Sequence, residues 1–261
     1  MDNFQIKTSV LASGSKGNCV YIETLNNHIL VDIGTTSLYV EKKLKDINVE
    51  PSLIDSIFIT HTHVDHVAGL KVFLKKYNPT LYLTKIMYSE LKKDISINNY
   101  VIIDSDELLL NDIKVKIIKT SHDANDSNGY IFEYNNKKMC YITDTGYINK
   151  KYFKLLKNCD IYIMESNHDI EILMNGKYPY HLKQRIISDT GHLSNKDTSY
   201  YLSKLSGDNT KYIVLTHLSE ENNDPDVALN TLKETLEQNN KKIDNLIISK
   251  QKERTELIGV W

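Results

Sequence analysis

Only three cysteines occur in the 261 residues, Cys19, Cys140 and Cys159. An odd number without pair spacing excludes a disulfide framework and a cysteine-based zinc knuckle, and reads as reduced, mostly buried thiols. Proline is as scarce, at 51, 79, 179 and 225, each near the edge of a patterned segment. With no Pro/Gly/Ser-rich linker, repeat or low-complexity stretch, the expectation is one domain over residues 1–261. No apolar run approaches the ~18 residues of a membrane span. The opening MDNFQIKTSVLAS carries Lys7 inside its only apolar stretch and makes a poor signal peptide. The expected location is therefore the cytoplasm, with no membrane partner and no obligate protein partner evident. An excess of charge is missing as well: 32 basic against 34 acidic residues leave a net charge of −2. No global field draws a polyanion, so any such ligand must be held by local chemistry. Arginine itself is nearly absent, with Arg185 and Arg254 as its two instances.

What is present is ordinary globular material, 41% hydrophobic and 25% charged, which excludes disorder and suffices for a core without staples. Short β-branched or tyrosine-rich runs bounded by Asn, Asp or Gly predict strands at 6–12, 20–24, 28–33, 56–60, 80–84 and 101–103. Further runs predict strands at 115–120, 129–134, 139–143, 161–165, 212–216 and 246–249. Helical periodicity fits 36–46, 67–77, 149–157, 179–188, 195–205 and 226–238. Asn-Asn at 26–27 and at 135–136 signals turns. The class is mixed α/β (α+β), with at least one large, partly antiparallel sheet.

The chemistry concentrates in SIFITHTHVDHVAGL, residues 56–70. A strand ends at Thr60, and three histidines and an aspartate follow within six residues. His61 and His63, two apart in extended backbone, point the same way and can clamp one ion; Asp65 and His66 lie where the chain turns into a helix and can face a second. Imidazole suits zinc and other first-row metals, and the carboxylate admits harder ones such as manganese, with iron also reasonable. A two-metal site needs distant ligands too. His122, Asp144 and His217 each stand just past a predicted strand end, and His192 lies in TGHLS ahead of a helix. Asp144 is the natural shared ligand, because a carboxylate bridges.

On these residues the chain resembles the metallo-β-lactamase fold superfamily, whose hallmark is the T-H-x-H-x-D-H string at 60–66. Within it the sequence is most similar to the YycJ/WalJ group of nucleases acting on DNA. LASGSKGNC (11–19), LVDIG (30–34), SHDANDSNGY (121–130), YITDTG (141–146), MESNHD (164–169), GHLSN (191–195) and LTHLSEENN (215–223) carry that resemblance in order. It implies a four-layer αβ/βα sandwich, two mixed sheets flanked by helices, with the site at one open edge. It implies one metal on His61, His63 and His122, a second on Asp65, His66 and His217, and Asp144 bridging. His192 would be the catalytic proton donor beside Asp65, which orients the nucleophile. The implied activity is a DNA exonuclease, 5′ to 3′, using a hydroxide shared by the two metals.

Lesser candidates for substrate contact are Ser15 and Asn18 in the tight turn SGSKGN, His168 in ESNHD, and Arg185 on a helix with Lys183. The turn departs from the Walker phosphate-loop pattern, and His28 and His181 read as structural. The lysines at 150, 151, 154 and 157 read first as a soluble face, and could also steer a DNA backbone. A hydrolase of a small cyclic phosphate or nucleotide phosphodiester is the alternative, then a thioester or lactone hydrolase. The proton-donor histidine and the lack of a cysteine ligand disfavour the last.

Overall fold

The computed structural model describes residues 5–261 and consists of two seven-stranded sheets packed face to face. The first sheet contains β1 (Ile6–Ala12), β2 (Cys19–Glu23), β3 (His28–Val31), β4 (Ser56–Phe58), β5 (Thr80–Leu83) and β6 (Tyr100–Ile102) in chain order across the sheet. Its first edge is closed on the outside of β1 by the last strand of the chain. The second sheet runs from β7 (Glu107–Leu110) through β8 (Ile113–Lys119), β9 (Asn128–Tyr134) and β10 (Lys137–Ile142) to β11 (Ile161–Glu165), β12 (Tyr212–Thr216) and β13 (Asn245–Ile248). The final strand, β14 (Ile258–Val260), returns to the first sheet and pairs antiparallel with β1, Ile6 opposite Val260. Both sheets are mixed: β3 to β6 and β10 to β13 run parallel, and the remaining neighbours pair antiparallel.

Alternation along the strands explains the layers. Val20 and Ile22 on β2 and Met139 and Tyr141 on β10 enter the cluster between the sheets, with Phe58, Tyr130 and Phe132. Their neighbours Cys19 and Tyr21 face outward against α1 (Ser37–Lys45), through Val40 and Leu44, and against two later helices through Phe73 and Met87. Those helices are α3 (Leu70–Tyr77), preceded by the single turn α2 (Val64–Val67), and α4 (Lys85–Leu91). On the other outer face, Cys140, Ile142, Tyr162 and Met164 meet Leu156, Leu202 and Leu232. These belong to α5 (Phe153–Leu156), α8 (Asn195–Leu205) and α9 (Pro225–Gln238); α6 (Ile170–Asn175) and α7 (Tyr180–Ile186) form an excursion between β11 and α8. The cysteines are all free and buried.

Local chemistry punctuates these elements. Asn135 and Asn136, at φ 46° and 65°, make the two-residue hairpin between β9 and β10. Ser194 caps α8 by accepting the Asp197 N–H, and Asp224 caps α9 ahead of Pro225. The helix expected over 67–77 is divided at Gly69, where a Cβ would stand 2.1 Å from the Thr35 carbonyl oxygen. The helix expected over 149–157 is likewise a 3₁₀ turn, Lys150–Tyr152, followed by α5. Sequence pattern missed α4, α6, β7 and β14: the first two are under three turns long, and the last two are short edge strands. No described helix is long and apolar enough to cross a membrane.

Candidate metal centre

At one edge of the sandwich, three strands finish in backbone that most residues avoid. Asp32 after β3, Asp144 after β10 and His217 after β12 have φ of 61°, 54° and 56°. For residues other than glycine this left-handed region is uncommon, and holding it costs on the order of 1 kcal/mol or more. The cost is met three times in one place, and each instance turns a polar side chain into the same small volume.

The histidine-rich segment enters that volume from β4. Thr60 is anchored twice on Asp32, its N–H and its hydroxyl donating to the two carboxylate oxygens at 2.8 and 2.7 Å. Asp32 Oδ2 also lies 2.8 Å from His66 Nδ1, both side chains wholly buried. With Nδ1 held, Nε2 is the face His66 presents. His122 is set the same way, its Nδ1 3.3 Å from the Gly191 carbonyl oxygen. The His217 N–H donates to Ser13 Oγ at 2.7 Å, and Ser249 donates to the same oxygen at 2.9 Å, so the first and last parts of the chain support one ligand.

The resulting clusters are compact. One donor atom each from His61, His63 and His122 lie within 4.8 Å of one another, and the same holds for Asp65, His66 and His217, and for His61, His66 and Asp144. Asp144 faces both triads: Oδ2 is 3.1 Å from His66 Nε2, and Oδ1 is 3.5 Å from His217 Nδ1 and 3.8 Å from His122 Nε2. A fourth cluster joins Asp144 and His217 to Glu165 and His192.

Whether divalent ions fit can be judged from these atoms. His61 Nε2, Asp144 Oδ2 and both ring nitrogens of His217 are buried without a hydrogen-bond partner. Each such orphan costs about 1–3 kcal/mol, and here they converge, an arrangement that a cation between them satisfies together. Burial pushes His61 and His122 below the usual imidazole range, which keeps them in the neutral, ligating form. Burial acts the same way on His66 and His217, yet Asp32 and Asp144 hold His66 well above its usual range, and Asp144, Asp65 and Glu165 lift His217 to about 10. Burial would raise Asp65 and Asp144, but the neighbouring histidines keep both ionised far below the normal carboxylate range. The carboxylates thus demand positive charge here. Imidazole nitrogens and carboxylate oxygens in this proportion fit two divalent ions.

His192 stands at the rim, with ring centroids 5.2 Å from His122 and 5.3 Å from His217. Its Nδ1 is 3.2 Å from Glu165 Oε2. Burial disfavours its charged form, but Glu165 prevails and the imidazole is raised. The helix cap falls to Ser194, which leaves the ring out of that duty. Asn18 also joins the cluster: its Nδ2 is 3.1 Å from His66 Nε2 and 3.3 Å from Asp65 Oδ2. Ser15 is exposed on the neighbouring turn. Arg185 makes a two-pronged ion pair with Asp123, whose Oδ1 is 3.3 Å from His122 Nε2. His168 belongs to none of these clusters; it is 1% exposed, with no surface for a substrate.

Three residues escaped sequence reasoning. Glu165 accepts the N–H groups of Asp144 (2.6 Å) and Leu193 (2.5 Å) besides facing His192. It sits at the end of β11, between the strands whose ends carry Asp144 and His217, so the strand-end rule extended to glutamate would have found it. Asp32 lay in LVDIG with the same signal. Asp123 carried none, because its partner Arg185 is 62 residues away.

Comparison with known proteins places this geometry. Residues 27–218 match the beta-lactamase superfamily domain, a span that opens before Asp32 and closes just after His217. The chain is 37% identical over 244 residues to exodeoxyribonuclease WalJ of Streptococcus pneumoniae, covering 91% of each. It is 35% identical over 234 residues to exodeoxyribonuclease YycJ of Bacillus anthracis, covering 88% of this chain and 89% of the relative. Among solved structures, the metallo-beta-lactamase fold protein YhfI of Bacillus subtilis superposes with a TM-score of 0.72 at 16% identity, over 96% of this chain and 98% of that one.

Proposed function

The chain belongs to the beta-lactamase superfamily, in the group of the WalJ and YycJ exodeoxyribonucleases, and from that premise we propose that it is a two-metal phosphodiesterase removing nucleotides from the end of a DNA strand. The observation that carries this reading is the pairing of two ligand triads that share Asp144 with a Glu165–His192 dyad at their rim. Two divalent ions, zinc or manganese and less readily iron, would supply charge neutralisation for a phosphodiester and acidify water at neutral pH. His61, His63 and His122 would hold one, Asp65, His66 and His217 the other, with Asp144 between them.

The remaining work falls to the chain's own groups. Asp32 and the Gly191 carbonyl favour the Nδ1–H tautomers of His66 and His122, which leaves Nε2 of each to face the ions. Glu165 holds the Nδ1–H of His192 and favours its protonated form, leaving Nε2–H to give a proton to the departing alkoxide of the cleaved strand. Asp65, with Asn18 beside it, offers a carboxylate oxygen to orient the attacking water. A thioesterase has less need of the dyad, since its thiolate leaving group is a weaker base than an alkoxide.

The test is degradation of an end-labelled DNA duplex by metal-depleted protein, with manganese or zinc restored. Metal-dependent release of nucleotides is expected, with the labelled end giving the polarity, and His192→Ala should lower the rate by roughly 10²–10⁴-fold. Full turnover by Asp65→Ala would remove the reading.

A further inference from the structure

Two segments leave the metal cluster side by side, residues 119–122 running from β8 into His122 and residues 144–152 running from Asp144 into the 3₁₀ turn. They are laced together. The Gly146 N–H donates to the Ser121 carbonyl at 2.9 Å, the Ser121 N–H to Thr145 Oγ1 at 3.0 Å, and the Lys119 N–H to the Tyr152 hydroxyl at 3.1 Å. Between them lies a pocket of about 160 Å³ walled by Lys119, Ser121, Tyr147, Asn149 and Lys151. Pockets for drug-sized molecules run to roughly 300–1,000 Å³, so this one takes a small group and not a whole nucleotide.

Its chemistry is one-sided. Among the described residues no carboxylate lines it, although the chain as a whole carries a net charge of −2. By contrast, the hollow at Lys114, Lys137 and Lys138 also contains Glu133 and Asp160. Lys151 Nζ lies 4.8 Å over the Tyr152 ring and is paired with no carboxylate among the described residues. Lys119 is tethered to Asp126 at 2.6 Å and can exchange that oxygen for another. Asn149 spends its Oδ1 on the Lys151 N–H, which leaves its NH₂ to donate. Tyr147, 41% exposed, offers a ring at the rim. Lys119 precedes His122 by three residues, roughly 10 Å of extended chain, about the rise of three stacked nucleotides at 3.4 Å each.

We infer that this pocket is a backbone-phosphate subsite for the strand whose scissile bond lies at the metal cluster. Lys151 and Lys119 pair with the phosphate, Asn149 and Ser121 donate hydrogen bonds to it, and Tyr147 packs on the adjoining sugar or base. The inference rests on the nuclease reading and deepens it: it makes the substrate a polymer of at least a few nucleotides.

Lys151→Glu and Asn149→Ala, with Lys233→Ala on α9 as a charge control, are to be compared with the parent as metal-loaded proteins binding a hydrolysis-resistant phosphorothioate single strand. For Lys151→Glu, at least a tenfold loss of affinity is expected. The slope of log K against log salt should become shallower by about 0.7, the value of one single-strand phosphate contact. The same variant should lose more kcat/KM on an oligonucleotide than on bis(nitrophenyl) phosphate. Equal losses on DNA and RNA strands place the contact on the shared backbone, whereas a loss confined to DNA makes the pocket part of a DNA-specific track. If Lys151→Glu keeps its thermal midpoint and binds with the parent's affinity and slope while the parent degrades DNA, the subsite is wrong and the nuclease reading stands. If the parent neither binds nor degrades any strand, both fall.

Discussion

At the scale of single residues, the centre is a set of side chains whose second contacts decide what they present. Asp32 and the Gly191 carbonyl hold the rings of the expected ligands His66 and His122, while Glu165, clustered with Asp144 and His217, raises the imidazole of His192. His168 shows the opposite arrangement. It is buried with an unpartnered Nδ1, and burial pushes its imidazole down to about 4. In the unfolded chain the same ring takes its proton near 6.5. The native state therefore binds fewer protons between these values. His168 contributes stability that is fully present above about pH 6.5 and is lost as pH falls toward 4, an amount of about 3 kcal/mol. Urea unfolding at pH 7.5 and 4.5 checks this: His168→Gln should lose markedly less stability across that interval than the parent. An equal loss in both proteins would assign the acid sensitivity to other groups.

At the scale of elements, the ligands are positioned by loops that approach one another too closely for side chains. The Gly34 N–H donates to the Asn18 carbonyl and the Asn18 N–H to the Asp65 carbonyl, both at 2.8 Å, so three loops stack over the second ligand triad. A Cβ on Gly34 would lie 1.6 Å from the Asp65 carbonyl oxygen, a clash with backbone that no rotamer relieves. Gly34→Ala is expected to cost about 3 kcal/mol and to displace the turn that carries Asp65 and His66. Calorimetric titration with zinc should then reveal one site weakened by roughly 10–100-fold, the usual effect of disturbing a ligand's support, while the site on His61, His63 and His122 persists. Two undisturbed sites in the variant would show that this stacking does not position Asp65. The same logic holds residue 69 to glycine where the helix expected over 67–77 is divided: a Cβ there would lie 2.1 Å from the Thr35 carbonyl oxygen.

At the scale of the molecule, the two sheets meet at the centre as equal contributors. His61, His63, Asp65 and His66 follow β4 of the first sheet, whereas His122, Asp144 and His217 follow β8, β10 and β12 of the second. Ions held between them would cross-link the sandwich at its open edge, so their binding energy is folding energy. Added zinc or manganese at about 1,000 times Kd should stabilise the metal-depleted protein by about 4 kcal/mol, read as a rise in thermal midpoint that grows with metal concentration. A midpoint indifferent to metal would mean that the ligands do not bind across both sheets. The C-terminal stretch belongs to this scale as well. The hydrogen bonds from Ser249 to Ser13, and from the Val10 N–H to Thr255 Oγ1 at 2.9 Å, brace β1 and the turn after it, and β14 then closes the sheet beside them.

The sequence alone was enough to determine the mixed α/β class, most strands to within a residue or two, and the concentration of metal-type donors at residues 60–66. Those features depend on local period and on donors close together in the chain, and the strand-end position of His122, Asp144 and His217 extended the same logic across long separations. Tertiary structure decided which donors come within reach of one another, because triads such as Asp65, His66 and His217 are set by the order of strands across two sheets and not by spacing along one. It also decided the supporting roles of Asp32, Glu165 and Asp123, since an ordinary carboxylate becomes a positioning group only when a distant histidine or arginine is folded against it. The division has one physical cause: patterns of period two or 3.6 are written locally, whereas the contacts that set a tautomer or share a carboxylate are created when strands far apart in the chain end at the same edge.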